Sequence, residues 1–475
     1  MHKKVKPTKY ILLWCTPGFG ALDIWLPIVK KLKEKGDIKI DFVFPEPSSL
    51  RLEDKQSDLF NLAEILSDDV IYRSYSGFWF KARTLGEAHK NNKYSVFDEK
   101  IKIASRMLVK GRLSKYFFVK VIGKLILSIS KYFIYTKEKF RLLNLYDVNL
   151  FNNADGILYD IVMEHKKVNK ELRVSLKNIP KFSMFHGLAA SWVMDQFICD
   201  KFVTKRSDVT VYTMSNLEVS GYKKCFGILD ENLVHSGIPR HDSDWIEFIC
   251  NQSTPVKDDI FDSFVLIIGR PASPYNTPER KKKALRDIYD VVCMKHKLKL
   301  VIKRHPKETG DGIDNRIYNE VLGIENYGKS WMYSDMHPFV LGKKSIFSIS
   351  FFSSVVIDML AINKPTIEYL NLEGLDLYDS SDSLRDESGN PVFQFRYVNL
   401  VLGVSAKLEL EQYVESILNQ YEMTISPLCS MYKKYFMPFD GASKMVANDI
   451  YKRVESHKIS QQKDTFVNLN SESKK

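Results

Sequence analysis

Short unbroken apolar runs alternate along the chain with longer stretches whose apolar residues recur at helical spacing. YILLWC (10–15) is such a run. TPGFG follows, then ALDIWLPIVKKLKEKG repeats apolar residues every three or four positions, with Gly36 suited to cap the helix end. IKIDFVFPE (38–46) reads as the next strand. Strand, glycine loop, helix and strand make a crossover unit, which predicts a parallel sheet. Further strands are expected at DGILYDIV (155–162), IPKFSMFHG (179–187), VTVYTMS (209–215) and NLVHSGIP (232–239). The polar segment NQSTPVKDD (251–259) reads as a linker. A second α/β series opens with SFVLIIGRP (263–271). It continues through helix PERKKKALRDIYDVVCMKHK, strands LKLVIKRHP and SIFSIS, and a helix after Ser354. LELEQYVESILNQY and GASKMVANDIYKRV close the chain as helices, and residues 456–475 read as a disordered tail. The expected fold class is α/β: two Rossmann-like domains, 1–250 and 260–455, facing each other across a cleft.

Residues 101–145 break this rhythm. Lys and Arg interleave with Leu, Ile, Phe and Tyr there, and Glu138 is the only acid. Read as helices, the segment has apolar faces with basic flanks, the pattern of an insertion lying on an anionic membrane surface. It fits equally a helical insertion packed on its own domain with a solvated basic face. The net charge of +12 over 475 residues points to a polyanion or an anionic surface as partner. No nucleic-acid-binding motif accompanies the charge, so nucleic acid is not an expected partner. The apolar fraction of 44% is enough for two cores and excludes a disordered chain. Six scattered Cys without CxxC spacing predict reduced thiols, not a zinc site or disulfide frame. The apolar run behind the basic N-terminus is too short for a signal peptide, and no segment reaches the roughly 18 apolar residues of a spanning helix. The expected location is cytoplasmic, peripheral at the inner face of the membrane.

Candidate chemistry gathers at the carboxyl ends of the predicted strands, where such sheets bind ligands. Gly18 and Gly20 form a glycine loop after the first strand, without a full GxGxxG. LVIKRHPKE ends a strand in Lys303, Arg304 and His305, and Pro306 stops the ladder. A guanidinium fork and an imidazole suit phosphate oxygens. SISFFSSVVIDML ends the next strand in Ser353 and Ser354 just where a helix starts. The pair reads either as an N-cap or as a phosphate site at the positive helix end, and one serine can do both. His186 in SMFHGLAAS faces the cleft from the other domain, a candidate general base for an acceptor hydroxyl. In SGIPRHD, Arg240 serves the phosphates or an interdomain hinge, and Asp242 is a structural N-cap. Asp358, one turn after Ser354, accepts bonds from a ribose or fixes the loop; Glu368 is a second ribose candidate. With no DxD after a strand and no Walker A motif, neither a metal nor a cofactor is expected.

The segments RHP (304–306), SSVVIDMLAINKP (353–365), HG (186–187), SGIPRHD (236–242) and FDGASKMVANDI (439–450) together resemble the CDP-glycerol glycerophosphotransferase family of teichoic-acid polymerases. The resemblance spans roughly 150–450 at the level of motifs, with Phe351–Phe352 where the family has an aromatic-acidic lead. It implies a GT-B architecture, with a cytidine nucleotide held by His305, Ser353 and Ser354 and with His186 acting on the acceptor. The activity implied is transfer of a glycosyl or polyol-phosphate group from a nucleotide-activated donor to a lipid-linked surface polysaccharide. Two other readings fit the same strand ends: a UDP-sugar epimerase or hydrolase, and a non-catalytic capsule-assembly protein.

Overall fold

The computed structural model describes residues 9–15, 20–46, 57–73, 78–92, 116–119, 121–126, 128–129, 132, 153–161, 179–185, 187, 205–252, 261–273, 275–305, 308, 312–373, 384–386, 388–437 and 440–472. The apolar runs form two separate sheets. The first contains β1 (Lys9–Trp14), β2 (Ile38–Phe44), β3 (Asp69–Arg73), β4 (Trp79–Ala82), β5 (Gly156–Tyr159), β6 (Lys181–Ser183), β7 (Val209–Thr213) and β8 (Leu233–His235), in the order β4-β3-β2-β1-β5-β6-β7-β8. Every pairing is parallel except β3 with the edge strand β4. The second contains β9 (Phe264–Ile268), β10 (Leu300–Lys303), β11 (Trp331–Tyr333), β12 (Ser345–Ser350), β13 (Thr366–Tyr369) and β14 (Leu402–Val404), in the all-parallel order β11-β10-β9-β12-β13-β14. Strands β3, β4, β11 and β14 were not among the expected ones; they are short, and β3, β4 and β11 carry a charge or an aromatic residue in place of an unbroken aliphatic run.

The longer helices among the described residues are α1 (Gly20–Lys33), α2 (Ser57–Leu66), α3 (Leu85–Asn92), α4 (Val219–Phe226), α5 (Ser243–Gln252), α6 (Pro278–Ile288), α7 (Ile313–Leu322), α8 (Pro338–Lys344), α9 (Val355–Ala361), α10 (Lys407–Asn419), α11 (Tyr421–Tyr435) and α12 (Ala442–Glu472). Strands such as β1, β2, β9 and β13 are buried on both faces, as sheets covered by crossover helices require. In each sheet the chain runs outward from its first strand, then returns to the other side. The reversal falls between β1 and β5, and between β9 and β12. Ligands of open α/β sheets bind at such switch points.

The last helix returns to the first domain. Tyr212 donates to Asp449, Lys9 donates to the Tyr451 hydroxyl, and a side chain at Gly156 would meet Val454. Its start is tied to α5 by reciprocal capping. Asp242 accepts from the backbone amides of Ala442 and Ser443 at 2.9 and 2.8 Å and from the Ser443 hydroxyl. Asp440 accepts from the amide and hydroxyl of Ser243. Asp242 is thus a structural cap, but of α12 and not of the helix that follows it in sequence.

Two expectations are corrected. The tail expected to be disordered is helical as far as Glu472, since neither Gly nor Pro interrupts 442–472. Cys225 is disulfide-bonded, while Cys15, Cys250, Cys293 and Cys429 are free; isolated cysteines carry no spacing signal of their spatial partners. Between 117 and 132, described residues of the basic insertion are helical, and they leave Phe117 and Phe118 74% and 78% exposed, with Val121, Ile122, Leu125 and Ile129 also in solvent. The linker expected at 251–259 begins inside α5, and 253–259 lies outside the described residues.

Because Asp242 satisfies three donors at the start of α12, Asp242→Ala is expected to lower stability by about 1–2 kcal/mol, read from urea unfolding. Asp440→Ala, at the more exposed cap, is expected to cost less.

Candidate active site at the rim of the second sheet

Strands β10, β9 and β12 end level with one another: Lys303 pairs with Ile268, and Ile268 with Ser350. The loops carrying Arg304–His305 and Ser353–Ser354 therefore leave the same rim of the sheet, separated only by the end of β9, roughly 10 Å apart at the usual strand spacing. Gly269 follows β9 between them. A Cβ there would lie 2.6 Å from Glu308 Oε2 and 2.9 Å from the Lys303 carbonyl, so glycine lets the end of β9 pack against the loop that follows β10.

A buried lysine organises these loops. Lys281 on α6 is fully buried, and its three ammonium protons go to Glu308, Asp314 and the Arg270 carbonyl, each at 2.8 Å. Glu308 accepts from the His305 amide at 2.8 Å, and Asp314 from the Ala272 amide at 3.0 Å. The ammonium also lies 4.4 Å from the Tyr318 ring centre. One cation thus fixes the loop after β9 and the loop after β10 at once. Sequence reading passed over it, although Lys281 sits on the apolar stripe of α6 with Ala284, Leu285 and Ile288, and a lysine in that position needs partners.

The turn out of β12 is strained. Phe352 has φ +92°, rare for a bulky residue. Its ring is held 4.5 Å from Phe393 in a stack, and the Arg270 guanidinium lies 5.1 Å from it. This turn delivers Ser353 and Ser354 half-exposed at the rim. Ser353 Oγ accepts from the Val355 amide at 3.3 Å, while Ser354, at the N-cap position of α9, makes no side-chain capping bond. Arg304 donates to Asp335 at 3.0 Å, with its guanidinium 4.8 Å from the Tyr333 ring centre. His305 is half-exposed.

Arg240 lies elsewhere. It is buried at the junction of the two domains, with Nη1 donating to Asp23 at 2.5 Å and Nη2 2.9 Å from Asp358. Asp23 belongs to α1 of the first domain, Asp358 to α9 of the second. Its guanidinium is engaged by carboxylates from both domains and is not open to phosphate. Asp358 correspondingly fixes structure and is not open to a ribose. His241, next in the chain, bridges α9 and α11, with Nε2 2.7 Å from Asp358 and Nδ1 2.7 Å from the Tyr432 hydroxyl. An ionised carboxylate only accepts, so Nε2 carries the proton and Nδ1 accepts from Tyr432. Burial lowers the His241 pKa, outweighing the pull of Asp358. Burial works to raise the Asp23 carboxyl, but Arg240 and His337 outweigh it and hold it far below the usual range.

Glu368 is also corrected. It is fully buried in β13 and takes Arg396 Nε at 2.8 Å, while Arg396 Nη2 binds the carbonyls of Glu368, Leu370 and Val404. It joins sheet to loop and cannot reach a ribose, because β13 is covered on both faces. Gly20 opens α1, whereas Gly18 and His186 lie outside the described residues. Asp23, Lys281, Glu308 and Asp314 are the important charged groups that sequence reasoning missed.

Searches for similar proteins found no matching family model and no matching curated protein. Solved structures do match over nearly the whole chain. The S. aureus MnaA–UDP co-structure is 11% identical with a TM-score of 0.51, covering 94% of this chain and 97% of that one. A putative UDP-N-acetylglucosamine 2-epimerase from Listeria monocytogenes is 11% identical, TM-score 0.51, covering 95% and 96%. The wall teichoic acid polymerase TagF is 11% identical, TM-score 0.48, covering 95% and 90%. The chain thus has the GT-B-type fold, two parallel-sheet domains of eight and six strands. No helix among the described residues is long and apolar enough to cross a membrane.

Removing Arg240 leaves the buried Asp358 and the partly buried Asp23 without their shared cation, so Arg240→Ala is expected to cost about 3–5 kcal/mol in chemical denaturation. The junction should also be acid-sensitive. Unfolded histidine titrates near pH 6.5 and folded His241 lower, so the unfolded chain binds more protons in between. The stability from burying His241 neutral is complete above about pH 6.5 and is lost as pH falls below it. Melting temperatures at about pH 7.5 and 5.5 should therefore differ more for the wild type than for His241→Gln.

Proposed function

We propose that the chain is a nucleotide-dependent GT-B transferase that moves a glycosyl or polyol-phosphate group from a cytidine-linked donor to a surface-polysaccharide acceptor. The observation that supports this most is the level ending of β10 and β12, which sets the Arg304–His305 and Ser353–Ser354 loops on one rim across Gly269. In this reading Arg304, His305 and the serine hydroxyls bind the nucleotide's phosphates. His186 takes the proton of the acceptor hydroxyl as its oxygen bonds to the transferred group. The bond to the leaving phosphate oxygen breaks, and its electron pair stays on that oxygen, where the fixed donors stabilise the charge. Lys281, through Glu308, holds the backbone at His305 in place for this.

The exposed Phe117 and Phe118, in a segment whose only acid is Glu138, support docking on an anionic membrane that carries a lipid-linked acceptor. A second reading, a UDP-sugar epimerase or hydrolase, is suggested by the likeness over nearly the full length to a structure solved with UDP and to a putative epimerase.

Calorimetric titration with CDP, CMP, UDP and GDP separates these readings. Cytidine nucleotides are expected to bind, with affinity about ten- to a hundredfold weaker in His305→Ala and Ser354→Ala, the range for one lost charge-assisted hydrogen bond. His186→Ala should keep that affinity and lose transfer. Preference for UDP would move the assignment to the epimerase, and binding of no nucleotide would overturn both. Phe117→Ser with Phe118→Ser should reduce co-sedimentation with phosphatidylglycerol vesicles; unchanged binding would remove the membrane role of this segment.

A further inference from the structure

Beyond the rim loops, a cavity of about 330 Å³ opens at the ends of β13 and β14 against α6. That is at the lower end of small-molecule sites, roughly 300–1,000 Å³. We propose that this cavity binds a saccharide bearing an anionic group, a carboxylate or a phosphate. The assignment stands on the cavity itself and does not depend on the nucleotide reading.

Its lining carries the polar groups such a ligand needs. Asn276 is 1% exposed, and its side-chain amide nitrogen is buried without a hydrogen-bond partner among the described residues. Buried donors in folded proteins are nearly always paired, so this one calls for an acceptor from a guest. Lys283 lines the cavity with no ion-pair partner among the described residues, one turn of α6 beyond Arg280. Arg280 itself is committed: Nη1 and Nη2 donate to the carbonyls of Asn371 and Glu373 at 2.7 and 3.0 Å, which holds the opposite wall in place. The Glu373 carboxylate and the Ser405 hydroxyl add an acceptor and a donor for sugar hydroxyls. Tyr369, with its hydroxyl tied to Asp287 at 2.6 Å, supplies a fixed aromatic surface for the C–H face of a sugar ring. A neutral sugar would leave Lys283 unanswered. A bare phosphate would leave the carboxylate of Glu373 facing an anion.

The test is calorimetry on the full chain with glucose 6-phosphate, glucuronate, glucose and inorganic phosphate. At least one of the two acidic sugars should bind, with glucose and inorganic phosphate about tenfold weaker or more. Which acidic sugar binds tells phosphate from carboxylate as the anionic group. Lys283→Glu, a surface change that leaves folding intact, should weaken that binding about tenfold or more, and Asn276→Asp should do the same by replacing the buried donor with a carboxylate. Ser353→Ala with Ser354→Ala should leave it unchanged while nucleotide binding falls, so the two sites fail separately. Binding of neither acidic sugar, equal affinity for inorganic phosphate, or affinities unmoved by both cavity variants would overturn the assignment.

Discussion

Arg240 is the only described cation seen between Asp23 and Asp358, and those two carboxylates come from different domains. A guanidinium placed there adds one buried charge to the apolar packing that runs through both domains, and it pairs a carboxylate from each. The arrangement is stable only while all its members are present. Two desolvated carboxylates repel strongly in a low dielectric, and a planar fork can satisfy both at once where a lysine's single point charge cannot. His241 completes the junction as a neutral bridge between Asp358 and Tyr432. Since Asp358 stands one turn beyond Ser354 on α9, the helix that follows the serine pair is anchored directly to the first domain.

A second buried charge, Lys281, plays the corresponding part within the second domain. It gathers Glu308, Asp314 and a carbonyl of the β9 loop, so the local turn between His305 and Glu308 is held from beneath as well as by its own hydrogen bonds. On the other side of β9 the strained Phe352 is clamped by aromatic packing. Rim loops that are fixed by interior groups in this way lose little freedom when a ligand arrives, which is the general requirement for electrostatic preorganisation. The organisation of the rim therefore rests largely on buried residues that bind its loops from within.

Much of this was legible in the chain. Apolar runs such as YILLWC and SFVLIIGRP became central parallel strands, because strands covered on both faces need uninterrupted apolar residues. The strand ends at Arg304–His305 and at Ser353–Ser354 were found from the same boundary between apolar and polar residues. Glu368 was misread for an instructive reason. A carboxylate beside a strand end looks available in sequence, but Arg396, 28 residues later, buries it in an ion pair. Asp242 was rightly read as a cap, yet the helix it caps begins two hundred residues downstream, where no local rule points.

Periodicity, and the places where it stops, were sufficient to determine two parallel α/β domains and the rim on which polar groups collect, because both follow from local burial and near-neighbour spacing. Only the tertiary structure decided which charges are buried and paired: Arg240 with Asp23 and Asp358, Lys281 with Glu308 and Asp314, the return of α12 to the first sheet. Those pairings join residues 27 to 237 positions apart. A charge carries no mark in sequence of the partner that makes its desolvation tolerable, and that partner is chosen by the packing of the whole chain.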